Sequence, residues 1–173
     1  APTAATLWYE ITVTPPALTQ FDHWRGLHFT PAQLAEPLVS GADAAPAGDA
    51  VANFVKYALA LDPWRTASRH DLAHWFLSTN NGTTRLAVRY IRAKGLRDAL
   101  AHPLFSDDLT NWLPGTDEGQ PHTIEDLGAT ERITIESDAG LSAKQPIYGY
   151  LVVERTAPRL TSAAARRGTR PPE

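Results

Sequence analysis

The chain has 173 residues, 43% apolar and 20% charged, with a net charge of −3. This composition supports an ordinary globular core and lacks the basic excess expected of a nucleic-acid binder. It contains no cysteine, which excludes disulfides and thiolate metal sites, and no apolar run approaches the ~18–20 residues of a membrane-spanning helix.

The N-terminal stretch "APTAAT" suits the residues that follow a small-residue signal cleavage site, which predicts an extracytoplasmic location, periplasmic or at the cell surface. Residues 7–13, "LWYEITV", are aromatic and β-branched and predict a strand ending at Pro15-Pro16. Leu18, Phe21, Trp24 and Leu27 or His28 recur at helical spacing. A short helix follows in "TPAQLAE", with Thr30 as N-cap, Pro31 at the first helical position and Gln33 completing a capping box before Pro37.

Small residues make a loop of 40–49, and Asp49 is placed to cap the next helix. In "GDAVANFVKYALALDPW" (48–64), Val51, Phe54, Val55, Ala58 and Leu59 share one face, with Asn53 and Lys56 off it. Pro63 requires the helix to end near Asp62, and Trp64 is expected to close that end of the core. Trp24 and Trp112 are expected as further core anchors.

After Trp64 the period falls to 2. "AHWFLST" (73–79) predicts a strand, "NNG" (80–82) a hairpin turn, and "TRLAVRYIR" (84–92) a strand with Leu86, Val88 and Tyr90 on one face. Arg85, Ala87 and Arg89 then lie on the other face. "LAHPLFS" (100–106) is a strand with Pro103 at an edge or bulge. "ERITIES" (131–137) and "IYGYLVVER" (147–155) complete the set.

The expected fold is α+β, mostly β: an N-terminal helical segment packed on an antiparallel, β-sandwich-like meander. Residues 1–64 and 65–156 form one compact unit, and 157–173 an extended basic arm. That arm holds Arg159, Arg166, Arg167 and Arg170 against Glu173, with Leu160 its only large apolar residue, so ordering it needs an external surface. Guanidinium groups pair bidentately with carboxylates or phosphates, which makes these four arginines the candidate partner-binding residues.

Other chemistry is sparse. There is no GxSxG motif and no Gly-rich phosphate loop before a helix. "HDLAH" places His70 and His74 four apart, a zinc spacing on a helix, but the flanks read as a loop entering a strand. The adjacent carboxylates of "SDDL" (106–109) read as a turn or cap. Asp43, Asp49 and Asn53 carry the hard oxygens that calcium prefers, too few for an all-protein site. Trp8 and Trp75 are the tryptophans placed to stack on a glycan if exposed.

"GDAVANFVKYALALDP" resembles the "PDGDGxxNLLEYALGLDP" signature in C-terminal modules of many secreted Verrucomicrobia-type bacterial proteins. "FDHWRGLHFTPAQL" (21–34), "LAVRYIR" (86–92) and "SDDLTNW" (106–112) stand in the order of that family's other motifs. The resemblance, over roughly residues 21–156, implies a non-catalytic, extracytoplasmic β-rich module. It also implies a loop that has lost calcium: Ala45 and Ala47 stand where the family has aspartates and Ala50 where it has glycine, while Asp49 and Asn53 persist. Lys56 replaces a glutamate and Ala60 a glycine.

The function expected is a structural or interaction module with no enzyme activity and no cofactor, an accessory subunit docked on a larger protein assembly through its arm. The partner is another protein, not nucleic acid, and membrane association is at most peripheral, through that partner. The alternatives are a carbohydrate-binding module using exposed aromatics, and a small metal-dependent hydrolase using His70 and His74.

Overall fold

The computed structural model describes residues 18–115, 122–138 and 146–156. The expected strand at 7–13 and the arm at 157–173 lie outside the described residues. Short helices come first: α1 (Gln20–His28), α2 (Pro31–Leu34), α3 (Pro37–Ser40), α4 (Asn53–Ala58) and α5 (Arg69–Leu72). Strands follow: β1 (His74–Asn80), β2 (Thr83–Ala93), β3 (Ala99–Ser106), β4 (Leu113–Pro114), β5 (His122–Asp126), β6 (Thr130–Glu136) and β7 (Tyr148–Arg155). The fold is α+β and mostly β, as the change of period implies.

The strands form two antiparallel sheets, of order β1-β2-β6-β5 and β4-β3-β7. The β1–β2 hairpin closes through Asn81 and Gly82, at φ 50° and 76°. Positive φ at both central residues is the I′ turn, whose twist matches the flanking strands. Pro103 lies on β3 between β4 and β7, where its carbonyl accepts from Gly115 N–H at the end of β4. In an antiparallel ladder a residue's N and C=O point the same way, so its missing N–H faces the side where β4 runs out.

Between the sheets lies a core of Val88, Tyr90, Ile133 and Ile135 from one and Ala101 and Phe105 from the other, with Leu59 packed in from the turn after α4. A second cluster, Phe21, Phe54, Tyr57, Ala58 and Ala99, joins α1 and α4 to the start of β3. Asp98 ties this junction: Tyr57 Oη donates to one of its oxygens at 2.6 Å and Phe21 N–H to the other at 2.9 Å. Burial, then the neighbouring Asp98 carboxylate, push the Tyr57 phenol far above its ordinary range.

Several expectations need correction. α1 starts one turn later than Ala17, at a Thr19 capping box with Asp22. Leu18 and Leu27 are 82% and 71% exposed, so Phe21 and Trp24 alone carry that face inward. Pro37 ends α2 and also opens α3 as its first residue, its fixed φ being suited to a helix start. The 48–64 stretch forms only six helical residues. Carbonyls of Ala44 and Ala42 accept the Asn53 and Phe54 N–H groups, so the loop backbone starts α4. A Schellman motif ends it: Leu61 N–H bonds to Lys56 O and Ala60 N–H to Tyr57 O, with Ala60 at φ 56°. Termination therefore precedes the Pro63 limit. Trp64 does not close the core: it is 43% exposed, its Nε1 donating to His28 O. Trp24, half-buried, packs on the Phe21–Phe54–Tyr57 cluster, whereas Trp112 is half-buried against Tyr150 rather than a core anchor. Strands β4 and β5 carry no clear alternation in the sequence.

Candidate functional site

Asn53 and Lys56, expected off the buried face, are fully buried. Asp49, expected to cap the helix, instead makes a buried ion pair with Lys56, Oδ2 to Nζ 2.8 Å, the side chains 2% and 0% exposed. The helix has already found its cap in loop carbonyls, which frees the carboxylate for this role. The Lys56 ammonium also donates to Pro63 O at 3.2 Å and Arg65 O at 2.9 Å, so its three donors meet three acceptors. Asp49 accepts from the Val51 and Ala67 N–H groups as well. Burial alone would raise its pKa. The bonds from Lys56, Ala67 and Val51 and the lysine charge outweigh that and hold it at about 2.

The calcium-type residues are thus dispersed. Asp43 is exposed, with Arg155 at 3.8 Å, and Asn53 turns its Nδ2 to the carbonyls of Val39 and Gly41. The Lys56 ammonium is the cation that the Asp49 carboxylate and the carbonyls of Pro63 and Arg65 hold. Chelator should therefore leave the melting temperature unchanged, and a drop of several degrees by calorimetry in excess EDTA would show that a metal contributes.

Trp8 and the four arm arginines lie outside the described residues. Trp75 is no exposed platform. It points between the sheets, edge-on to Phe105 at 6.0 Å, and a Cβ at Gly149 would overlap its indole. Glycine at 149 is the condition for that close approach.

The aromatics that do share an exposed face are others. Along β7, Leu151 and Val153 point into the core, so alternation turns Tyr148, Tyr150 and Val152 outward. Tyr148 is 38% and Tyr150 43% exposed. Their register partners on β3 are Ser106, Leu104 and His102. Trp112 meets Tyr150 edge-on at 4.5 Å. "SDDLTNW" sets that position: Asp108 accepts from Thr110 and Asn111 N–H at 2.7 Å each and from Asn111 Nδ2 at 2.6 Å. These bonds hold the Asp108 carboxyl at about 2 and lock the turn, where Leu109 sits at φ 62°. The adjacent carboxylates thus serve a turn. The signal that could have found this face was the Tyr-x-Tyr of β7, a period-2 repeat of large aromatics.

His70 lies in α5 rather than a loop and His74 begins β1, their rings 5.8 Å apart. Among the described residues no group of three metal-type side chains assembles. No family model, no curated protein and no solved structure matches the chain.

Proposed function

We propose that this protein is a non-catalytic, extracytoplasmic interaction module, an accessory subunit that docks on a larger assembly through the outer face of its three-stranded sheet. The observation that supports this is the outward row of Tyr148 and Tyr150 with Trp112 at its margin and exposed Leu100 further along β3. Along the β3–β7 pairs the titratable groups on this face besides the tyrosines are His102 and Glu154, and Asp107 and Asp108 lie in the turn that carries Trp112. Interface cores are enriched in aromatics and depleted in charge. The basic arm adds an electrostatic contact with an acidic surface of the partner, and the extracytoplasmic assignment rests on the sequence and its family resemblance. Carbohydrate binding is the second reading, favoured by the same two tyrosines, since flat exposed rings suit sugar faces.

Purification of the tagged chain from its native source tests both readings. The wild type should recover a defined partner in fixed stoichiometry, and Tyr148→Lys/Tyr150→Lys should lose it at least 10-fold without a change in melting temperature. Deleting 158–173 should weaken assembly, most at low salt where screening is least. Retention on a polysaccharide matrix that Tyr150→Ala abolishes and Trp8→Ala spares would favour the glycan reading. A wild-type chain recovered alone and not retained on glycans would overturn the proposal.

A further inference from the structure

The four-stranded sheet carries a different feature. Where β2 runs past the start of β1, a cavity of about 410 Å³ opens against α5 and the turn after α4. His70, His74, Arg89 and Arg132 line it together with the carboxylate of Asp71, with Leu61 and Ile91 as apolar wall. The register explains the convergence. His74 lies directly opposite Arg89 across β1–β2, and Ile91 directly opposite Arg132 across β2–β6. All four therefore share the outer face, and α5 brings the His70 ring to 5.8 Å from His74.

Of the two guanidinium groups here, Arg132 is ion-paired with Glu125, whereas Arg89 is not held by a carboxylate. Arg89 stacks on Phe76 at 5.2 Å, and its Nε reaches Thr134 Oγ1 only at 3.4 Å. No carboxylate among the described residues pairs with it. Asp71 is bonded through one carboxylate oxygen to the Ser68 N–H and hydroxyl, and Glu136 bonds to Ser78 and Asn80. A cation facing an imidazole across a strand pair gains nothing from that neighbour and loses stability whenever the imidazole is charged. An anion bridging the two would reverse the sign.

We propose that this cavity binds a small-molecule oxyanion, phosphate, sulfate or carboxylate, with Arg89 and His74 as its primary contacts and His70 and Arg132 completing the shell. A guanidinium fork suits such oxygens. The volume falls in the range of ligand pockets, about 300–1,000 Å³, and so leaves room for the group that carries the anion, against Leu61 and Ile91. The site is on the sheet opposite the tyrosine face, so it stands or falls apart from the docking proposal.

NMR titration of the whole chain tests it. Phosphate, sulfate and acetate are added separately against chloride at constant ionic strength, then glucose 6-phosphate as a larger probe. Saturable shifts of the His70 and His74 ring resonances are expected with at least one probe, with His23 on α1 unmoved. Arg89→Gln should weaken that binding at least 10-fold, and His74→Gln provides a second variant if the first folds poorly. Shifts that rise linearly without saturation for every probe, or that match between wild type and variant, would overturn the proposal.

Discussion

Lys56→Met should destabilise the protein by about 3–5 kcal/mol, the cost of removing one partner of a buried pair and stranding the other. Methionine keeps most of the stem and its packing, so the loss isolates the ammonium. Its removal leaves Asp49 at 2% exposure without its counter-charge and the carbonyls of Pro63 and Arg65 without their donor. Chemical denaturation at neutral pH measures the loss directly. The double variant Asp49→Leu/Lys56→Met should recover a substantial part of it, because replacing a whole buried pair with apolar residues is far cheaper than breaking it. Equal destabilisation of single and double variants would show that the carboxylate contributes little beyond its backbone bonds.

The pH dependence of this pair has a definite sign. Asp49 is held at about 2 in the folded chain, below the ordinary aspartate value of about 3.9. Its contribution is therefore complete above about pH 4 and is lost as pH falls through 2. Asp108, also at about 2, acts in the same direction, so the wild type alone does not isolate Asp49. The difference between wild type and Lys56→Met does. Without the ammonium, burial favours the protonated carboxyl, so the gap should narrow from pH 7 to pH 3. A gap constant over that range would mean that Asp49 does not stay charged and buried as described.

Phe54→Ala should cost about 3–5 kcal/mol, the lost transfer free energy plus the cavity left behind. Phe54 is 8% exposed, with its ring 5.4 Å from that of Phe21 and 5.8 Å from that of Tyr57. The Arg155 guanidinium lies over it at 5.0 Å. Truncation therefore empties the centre of the cluster that fastens α1 and α4 to the β3–β7 pair. For a chain of this size the melting temperature should fall by several degrees per kcal/mol, of order 2–4 °C each. An unchanged melting temperature would mean that the helices are not packed on the sheets through this residue.

What the sequence determined by itself was local. The Thr30–Gln33 capping box, the hairpin turn at Asn81-Gly82 and the alternation of β2 and β6 are written in residues one to four apart, and each forms as read. "FVKYAL" was legible as a helix with Phe54, Ala58 and Leu59 inward, because that face follows from the 3.6 period alone. The periodicity also placed Lys56 and Asn53 outside, and only the tertiary structure reversed this. The loop of 40–49 and the turn at Pro63–Arg65 fold over the helix's second face and supply a carboxylate and carbonyls, so two polar side chains are buried where the pattern expects solvent. Tertiary structure likewise decided the working surfaces. Trp75 and the β7 tyrosines are equally aromatic in sequence, but the parity of β1 sets Trp75 inward opposite Val88, and that of β7, whose Gly149 faces the indole, turns Tyr148 and Tyr150 out. Arg89, His74 and Arg132 lie far apart along the chain and meet only through strand register. Short-range spacing encodes element type because backbone geometry repeats locally, whereas burial of a charge depends on which distant segment arrives to satisfy it.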